Sequence, residues 1–173
     1  NDKKSFEYAG ASGGFMDHLG YPFCRGRVFF TSEKDKLQYE ESQDVFWATG
    51  ACLMIRSELY HQLGGLDEDF FAHMEEIDLC WRIQNMGYTF SCEPKSKVYH
   101  VGGGTLNYMN PKKTYLNFRN SLFSITKNLP PRKAFTIIFL RLVLDAVAAL
   151  RFVLQFKFDH CFAILRAHLS FYK

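Results

Sequence analysis

One stretch restricts the fold of this chain more than any other. Ala134 to Phe156 is long and apolar, yet Arg141, Asp145 and Arg151 interrupt it, so no run exceeds seven residues without a charge. A bilayer-spanning helix needs roughly 20 consecutive, mostly apolar residues, so this stretch is not expected to cross one. At about 100° per residue, Arg141, Asp145, Arg151 and Gln155 fall within an arc of about 120°, and apolar residues dominate the rest. That is an amphipathic helix. It either lies in the headgroup plane of a membrane with its apolar face in the acyl boundary, or packs on its own domain. From Pro111 to Lys173 there are eleven Lys or Arg against two Asp and no Glu. A basic, apolar tail points to an anionic membrane surface.

The rest of the composition bounds the class. With 173 residues, 47% of them apolar, the chain can build a genuine core and is not disordered by composition. A net charge of +3 is too small to argue for nucleic acid, and no nucleic-acid partner is expected. The five cysteines, Cys24, Cys52, Cys80, Cys92 and Cys161, have no zinc or redox spacing and read as reduced, buried thiols of a cytoplasmic protein. The opening Asn1-Asp2-Lys3-Lys4 has neither Met nor a signal peptide, and reads as the middle of a longer protein.

Three regions separate by composition. Residues 1 to about 44 are rich in Gly and charge and read as an ordered loop region with short strands. Residues 45 to about 110 carry an α/β signal. Ala51-Cys-Leu-Met-Ile55 has strand length. Ser57 is a good N-cap for a helix from Glu58 to Leu63, and Gly64-Gly65 a good stop. A second helix fits His73 to Met86, ended by Gly87. Strand-like pieces follow at Tyr88–Cys92 and Lys97–Val101, and then Gly102-Gly-Gly104. From Lys112 onward the pattern is helical, divided at Asn128-Leu-Pro-Pro131.

The chemistry concentrates in Gly64-Gly-Leu-Asp-Glu-Asp-Phe-Phe-Ala-His-Met-Glu-Glu-Ile-Asp-Leu-Cys-Trp-Arg82. Glu75, Asp78 and Arg82 line one helical face and Glu76 is turned about 100° from it; Asp78 and Arg82 are an i, i+4 pair. Two readings are open. Acidic residues in a first turn offset the helix dipole, an ordinary structural use. Alternatively, carboxylates at the mouth of a partly buried helix stand at a cleft edge, ionised, and an ionised carboxylate can take a proton from a sugar hydroxyl. Asp67-Glu-Asp69 has the form Asp-x-Asp. His73-x-Glu75 lacks the two-histidine spacing of a zinc protease.

Four motifs, kept in order and spacing, carry a resemblance: Asp44-Val-Phe-Trp-Ala-Thr-Gly-Ala-Cys-Leu-Met-Ile-Arg56, Leu63-Gly-Gly-Leu-Asp-Glu-Asp-Phe-Phe71, Glu75-Glu-Ile-Asp-Leu-Cys-Trp-Arg82 and Val98-Tyr-His-Val-Gly-Gly-Gly-Thr105. Over about residues 8 to 130 the chain resembles the C-terminal half of family 2 glycosyltransferases. The closest subgroup is the rhamnosyltransferase-like one that builds bacterial surface polysaccharides. The resemblance implies an α/β fold: the acceptor-side half of a GT-A, Rossmann-like domain over 1–110, followed by a helical, basic amphipathic region over 111–173. The nucleotide-binding strands and the metal-binding Asp-x-Asp would lie upstream of residue 1, and this piece alone would be inactive.

The resemblance also implies roles. Glu76 matches the catalytic base of the family's acidic pair, with Glu75 its neighbour and Asp78 in reserve, although Asp78 and Arg82 match positions that look structural. Trp47, Thr49 and Gly50 match the floor of the acceptor pocket; Trp47 either stacks on a sugar or sits in the core. His100 matches a histidine that helps hold the divalent ion, Mn²⁺ or Mg²⁺, at the donor pyrophosphate, although read alone such a histidine is more often a plain surface or core residue. The implied activity is inverting transfer of a sugar from a nucleotide-sugar donor to a saccharide acceptor, lipid-linked because the basic tail would set the cleft at a membrane. The expected location is cytoplasmic, peripheral at the inner (plasma) membrane through the C-terminal helices. The competing class is a non-catalytic saccharide-binding or membrane-docking fragment.

Overall fold

The computed structural model describes residues 5–6, 12–28, 31–99 and 110–173. The chain divides into two compact units, Asn1–Leu66 with Glu76–Gly102, and Asp67–Glu75 with Gly103–Lys173. About half of the described residues are helical (52%) and the sheets are small, which is compatible with a mixed α/β chain.

In the first unit, short strands pair antiparallel: β1 (Gly14–Met16) with β2 (Pro22–Cys24), β3 (Arg27–Val28) with β4 (Thr31–Ser32), and β5 (Gln43–Val45) with β6 (Phe90–Cys92). No parallel pair occurs among the described residues. The run at Ala51–Ile55 is not a strand: Gly50–Cys52 forms a 3₁₀ turn capped by the Thr49 side chain, and Met54 points into solvent. Tyr88 and Tyr99 are likewise outside strands, so of the two expected strands only Phe90–Cys92 forms among the described residues.

Helix α1 (Ser57–Gln62) starts one residue earlier than expected, with Arg56 as an N-cap that makes no side-chain bond. It ends as the glycines dictate. Gly64 and Gly65 adopt φ of 74° and 70°, a region glycine enters without steric cost, and their N–H groups bond back to the His61 and Tyr60 carbonyls. Helix α2 (Glu75–Asn85) buries Leu79 and Ile83 against Leu59, with Ile55, Tyr60, Leu63 and Phe90 around them. Fully buried Asp78 accepts from Arg82 Nε at 2.8 Å. The same guanidinium donates to the carbonyls of Leu63 (2.7 Å) and Gly65 (2.8 Å), tying α2 to the end of α1.

The second unit is built on α3 (Pro111–Asn128), α4 (Pro131–Leu154) and α5 (Phe158–Phe171). Asn110 caps α3 by accepting from Lys112 N–H, with Pro111 at its first turn. The expected single stretch after Pro131 is in fact two helices, reversed at Gln155–Lys157 where Phe156 takes φ 56°. Leu116, Leu122, Ile125, Ile137 and Ile164 form an apolar core, and Ala149, Ala163 and Ala167 are small enough for close helix contact. Polar groups share this interior. Arg141 and Asp145 are 2% and 1% exposed, whereas Arg151 and Gln155 are exposed, so the polar arc expected on α4 is split.

Of the five cysteines, only Cys24 and Cys80 are buried; Cys52 is exposed and the other two half-buried. None is bonded to another.

Candidate active site

A strained loop precedes the acidic turn in the chain. The second helix does not begin at His73, because His73 and Met74 take φ of 68° and 74°, and Phe71 takes 62°. Non-glycine residues in this left-handed region each cost about 1–3 kcal/mol and persist where surrounding structure over-determines them.

That surrounding structure belongs to the second unit. Fully buried Asn120, in the middle of α3, donates from Nδ2 to the carbonyls of Phe70 (2.9 Å), Ala72 (2.9 Å) and His73 (2.7 Å). Its Oδ1 accepts from Arg119 Nε at 2.9 Å, and Arg119 Nη2 donates to the carbonyls of Asp69 (2.8 Å) and Phe70 (3.3 Å). Upstream, Asp67 caps the short turn Glu68–Phe70 by accepting from Asp69 N–H and pairs with the Lys127 ammonium. The Lys112 ammonium lies 4.4 Å from the centre of the Phe71 ring. Asp67, the first carboxylate of the Asp67-Glu-Asp69 segment, is therefore occupied with capping and ion pairing.

Two polar atoms of this loop are buried without a hydrogen-bond partner among the described residues: His73 Nε2 and Glu75 Oε2. Native structures hold few such atoms, and each asks for an explanation. Burial, followed by the nearby Lys113 charge, holds the His73 imidazole below its ordinary 6.5, so it stays neutral near pH 7.

In the first unit, Glu76 sits one turn before Cys80. Burial pushes the Cys80 thiol up to about 11; a hydrogen bond with the Ala48 backbone opposes this, and the Glu76 charge adds to it. Gln84 Nε2 donates to the Phe46 carbonyl (2.6 Å), and the Phe46 and Trp81 rings meet edge-on at 5.5 Å. The α2 helix thus holds the Phe46–Ala48 backbone against it, and Glu76 shares a unit with Thr49 and Gly50, the next residues along. Thr49 is half-buried, and space around Gly50 is open, since a Cβ built there meets nothing within 4 Å.

The sequence-derived candidates separate on this geometry. Asp78 is fully buried and paired with Arg82, the placement of a structural residue. Trp47 is 7% exposed; its indole N–H donates to the Phe15 carbonyl at 2.9 Å and its ring covers Gly14, where a Cβ would fall 2.1 Å from it. It sits as a core residue among the described residues. His100 and Gly102–Gly104 lie outside the described residues. Among those described, no three His, Cys, Asp or Glu side chains group to hold a metal ion. Sequence reasoning missed Arg119 and Asn120. A polar pair at mid-helix, flanked by Leu116, Leu122 and Phe123, was the available signal.

No family model matches the chain, and no solved structure matches it significantly. Curated proteins do. N-acetylglucosaminyl-diphospho-decaprenol L-rhamnosyltransferase of Mycobacterium tuberculosis (strain H37Rv) is 32% identical over 88 residues, 51% of this chain and 28% of that protein. The low-salt glycan biosynthesis hexosyltransferase Agl10 of Haloferax volcanii is 30% identical over 74 residues, 42% of this chain and 24% of that one. The matched stretch spans about a quarter of these relatives' length. Both are named as sugar transferases, and the chain is related to glycosyltransferases.

Proposed function

We propose that the complete gene product is an inverting, family 2 glycosyltransferase of GT-A type, with the first turn of α2 at its acceptor site and Glu76 as general base. One observation supports this reading above the rest. The acidic turn follows a strained loop that is clamped by buried side chains and carries polar atoms left unpaired, in a chain related to glycosyltransferases. Strain and unpaired buried polar groups concentrate at functional sites.

In the reaction, Glu76 takes the proton of an acceptor hydroxyl as its oxygen attacks the anomeric carbon of a nucleotide sugar. The new glycosidic bond forms as the bond to the nucleotide diphosphate breaks. Thr49 and Gly50 bound the acceptor side. Mn²⁺ or Mg²⁺, with His100 as one ligand, would supply positive charge against the departing diphosphate; the described residues assemble no donor set for it. The named substrate of the mycobacterial relative is a polyprenyl diphosphate carrying a sugar, and we infer an acceptor of that class here. Such a lipid meets a nucleotide sugar at the cytoplasmic face of the plasma membrane.

The test is Glu76→Gln in the complete gene product. Turnover should fall roughly 10²- to 10⁴-fold, the usual contribution of a positioned general base, with thermal stability preserved. Normal turnover in a folded Glu76→Gln protein, with Glu75→Gln inactive, would assign the base to Glu75 instead. Normal turnover in both would leave the chain a non-catalytic saccharide-binding or membrane-docking piece.

A further inference from the structure

The helical unit is built with its polarity reversed. Between Lys133 and Arg151, α4 has two charged residues, and both point inward. Asp145 faces Arg141 Nε at 3.5 Å and His168 Nε2 at 3.0 Å, and Arg141 Nη2 donates to Ser121 Oγ at 2.6 Å. What α4 exposes over the same stretch is apolar, including Phe135, Phe139, Val143, Val147 and Leu150. The one exposed polar residue there, Thr136, turns its hydroxyl back onto the Arg132 carbonyl at 3.0 Å. On a helical wheel the outward apolar arc covers about 200°, against about 120° for the inward side. Helix α5 continues it with Phe158, Phe162, Leu165 and Leu169.

A water-facing helix does the opposite, turning its charges out. A soluble monomer rarely exposes more than a few hundred Å² of contiguous apolar surface, and this face amounts to on the order of 1,000 Å². We propose that α4 and α5 embed this face in one leaflet of an anionic lipid bilayer, lying along it with the Arg141–Asp145–His168 group turned inward, away from the acyl chains. This deepens the reading of a lipid-linked acceptor but does not depend on catalysis.

Three observations favour lipid over a second copy of the chain. Cations bracket the apolar band: Arg132 and Lys133 before it, Arg151 and Lys157 after it, where long basic side chains reach headgroup phosphates while their stems stay among apolar groups. Pairing two copies through this face, in either direction, sets cations against cations, and Asp159 is the only exposed acid on α4 and α5. Finally, the uncharged band of about 25 Å along the helix, at 1.5 Å per residue, would lie in the plane with both cationic ends at headgroup level. No helix among the described residues is long and apolar enough to cross a membrane.

The experiment introduces one reporter at a time into the complete gene product. Val143→Trp stands on the proposed lipid face; Asp159→Trp stands on the exposed polar edge of α5. Each is mixed with phosphatidylglycerol/phosphatidylethanolamine vesicles carrying brominated acyl chains. Trp47 and Trp81 of this chain are buried, and the unsubstituted complete gene product measured alongside sets the background. The proposal expects strong quenching at position 143, little at 159, and at least a tenfold loss of vesicle partition in folded Val143→Asp/Val147→Asp. Equal quenching at both positions, or no quenching, overturns it. So does a lipid-free dimer that the double variant dissociates, which would assign the face to a second copy. Binding is read without turnover, so an inactive protein that still quenches at 143 refutes the transferase reading alone.

Discussion

Removing the Asn120 amide is the sharpest perturbation of the site's scaffold. Its Nδ2 faces three carbonyls at 2.7–2.9 Å, but an amide nitrogen has two hydrogens, so at most two bonds run at full strength and the third is shared. Asn120→Ala strips all three. Arg119 still reaches the Phe70 carbonyl, which leaves those of Ala72 and His73 without this donor. At about 1–3 kcal/mol for each of these two groups left unsatisfied, the loss should be roughly 2–6 kcal/mol. That is a large share of the 5–15 kcal/mol or so that holds a typical domain. The left-handed residues Phe71, His73 and Met74 lose part of what holds them and should relax. Denaturant unfolding reads the first effect; hydrogen exchange over residues 67–76 reads the second, as lost protection. Thr126→Ala, which removes a hydroxyl bonded to the Leu122 carbonyl of its own helix, is the control and should change stability by less than about 0.5 kcal/mol. An Asn120→Ala protein as stable as that control, with exchange over the loop unchanged, would refute the clamp.

Two further outcomes follow from ionisation. The His73 imidazole is held below its ordinary 6.5 by burial and then Lys113, so the unfolded chain binds more protons as pH falls. Stability linked to His73 is therefore full above about 6.5 and is lost as pH drops through the lower folded value; His73→Gln should flatten the melting-temperature profile over that window, and an unchanged profile would contradict the assignment. The Cys80 thiol, raised to about 11, is almost wholly protonated at pH 8, so iodoacetamide should modify exposed Cys52 and spare Cys80 until the protein unfolds. Comparable modification of both in the folded protein would refute the burial of Cys80.

What could be read from the sequence was local chemistry. Gly64-Gly65 ends α1 because only glycine enters that conformation cheaply, and Asn110, Pro111 and Pro131 mark helix starts by capping and by fixed φ. The Asp78–Arg82 pair was visible as an i, i+4 spacing, although its grip on the Leu63 and Gly65 carbonyls was not. The misses share one cause, which is contacts made far along the chain. Met74 cannot announce a left-handed backbone when the clamp on its loop comes from Asn120. The inward turn of Arg141 and Asp145 depends on Ser121 and His168 from other helices, so periodicity located the polar arc without revealing which way it faced. Phe156 breaks the last stretch with a positive φ that its residue type does not favour. Trp47 was readable as aromatic but not as buried, because its fit depends on the missing Cβ of Gly14.

The most direct measurement is transfer itself: radiolabelled nucleotide sugars are incubated with the complete gene product and polyprenyl-diphosphate-linked acceptor, and label is counted in the organic phase. The account predicts protein-dependent label from at least one donor, with the anomeric configuration inverted in the product. Label with the configuration retained, or none from any donor while the protein binds the acceptor, would contradict it.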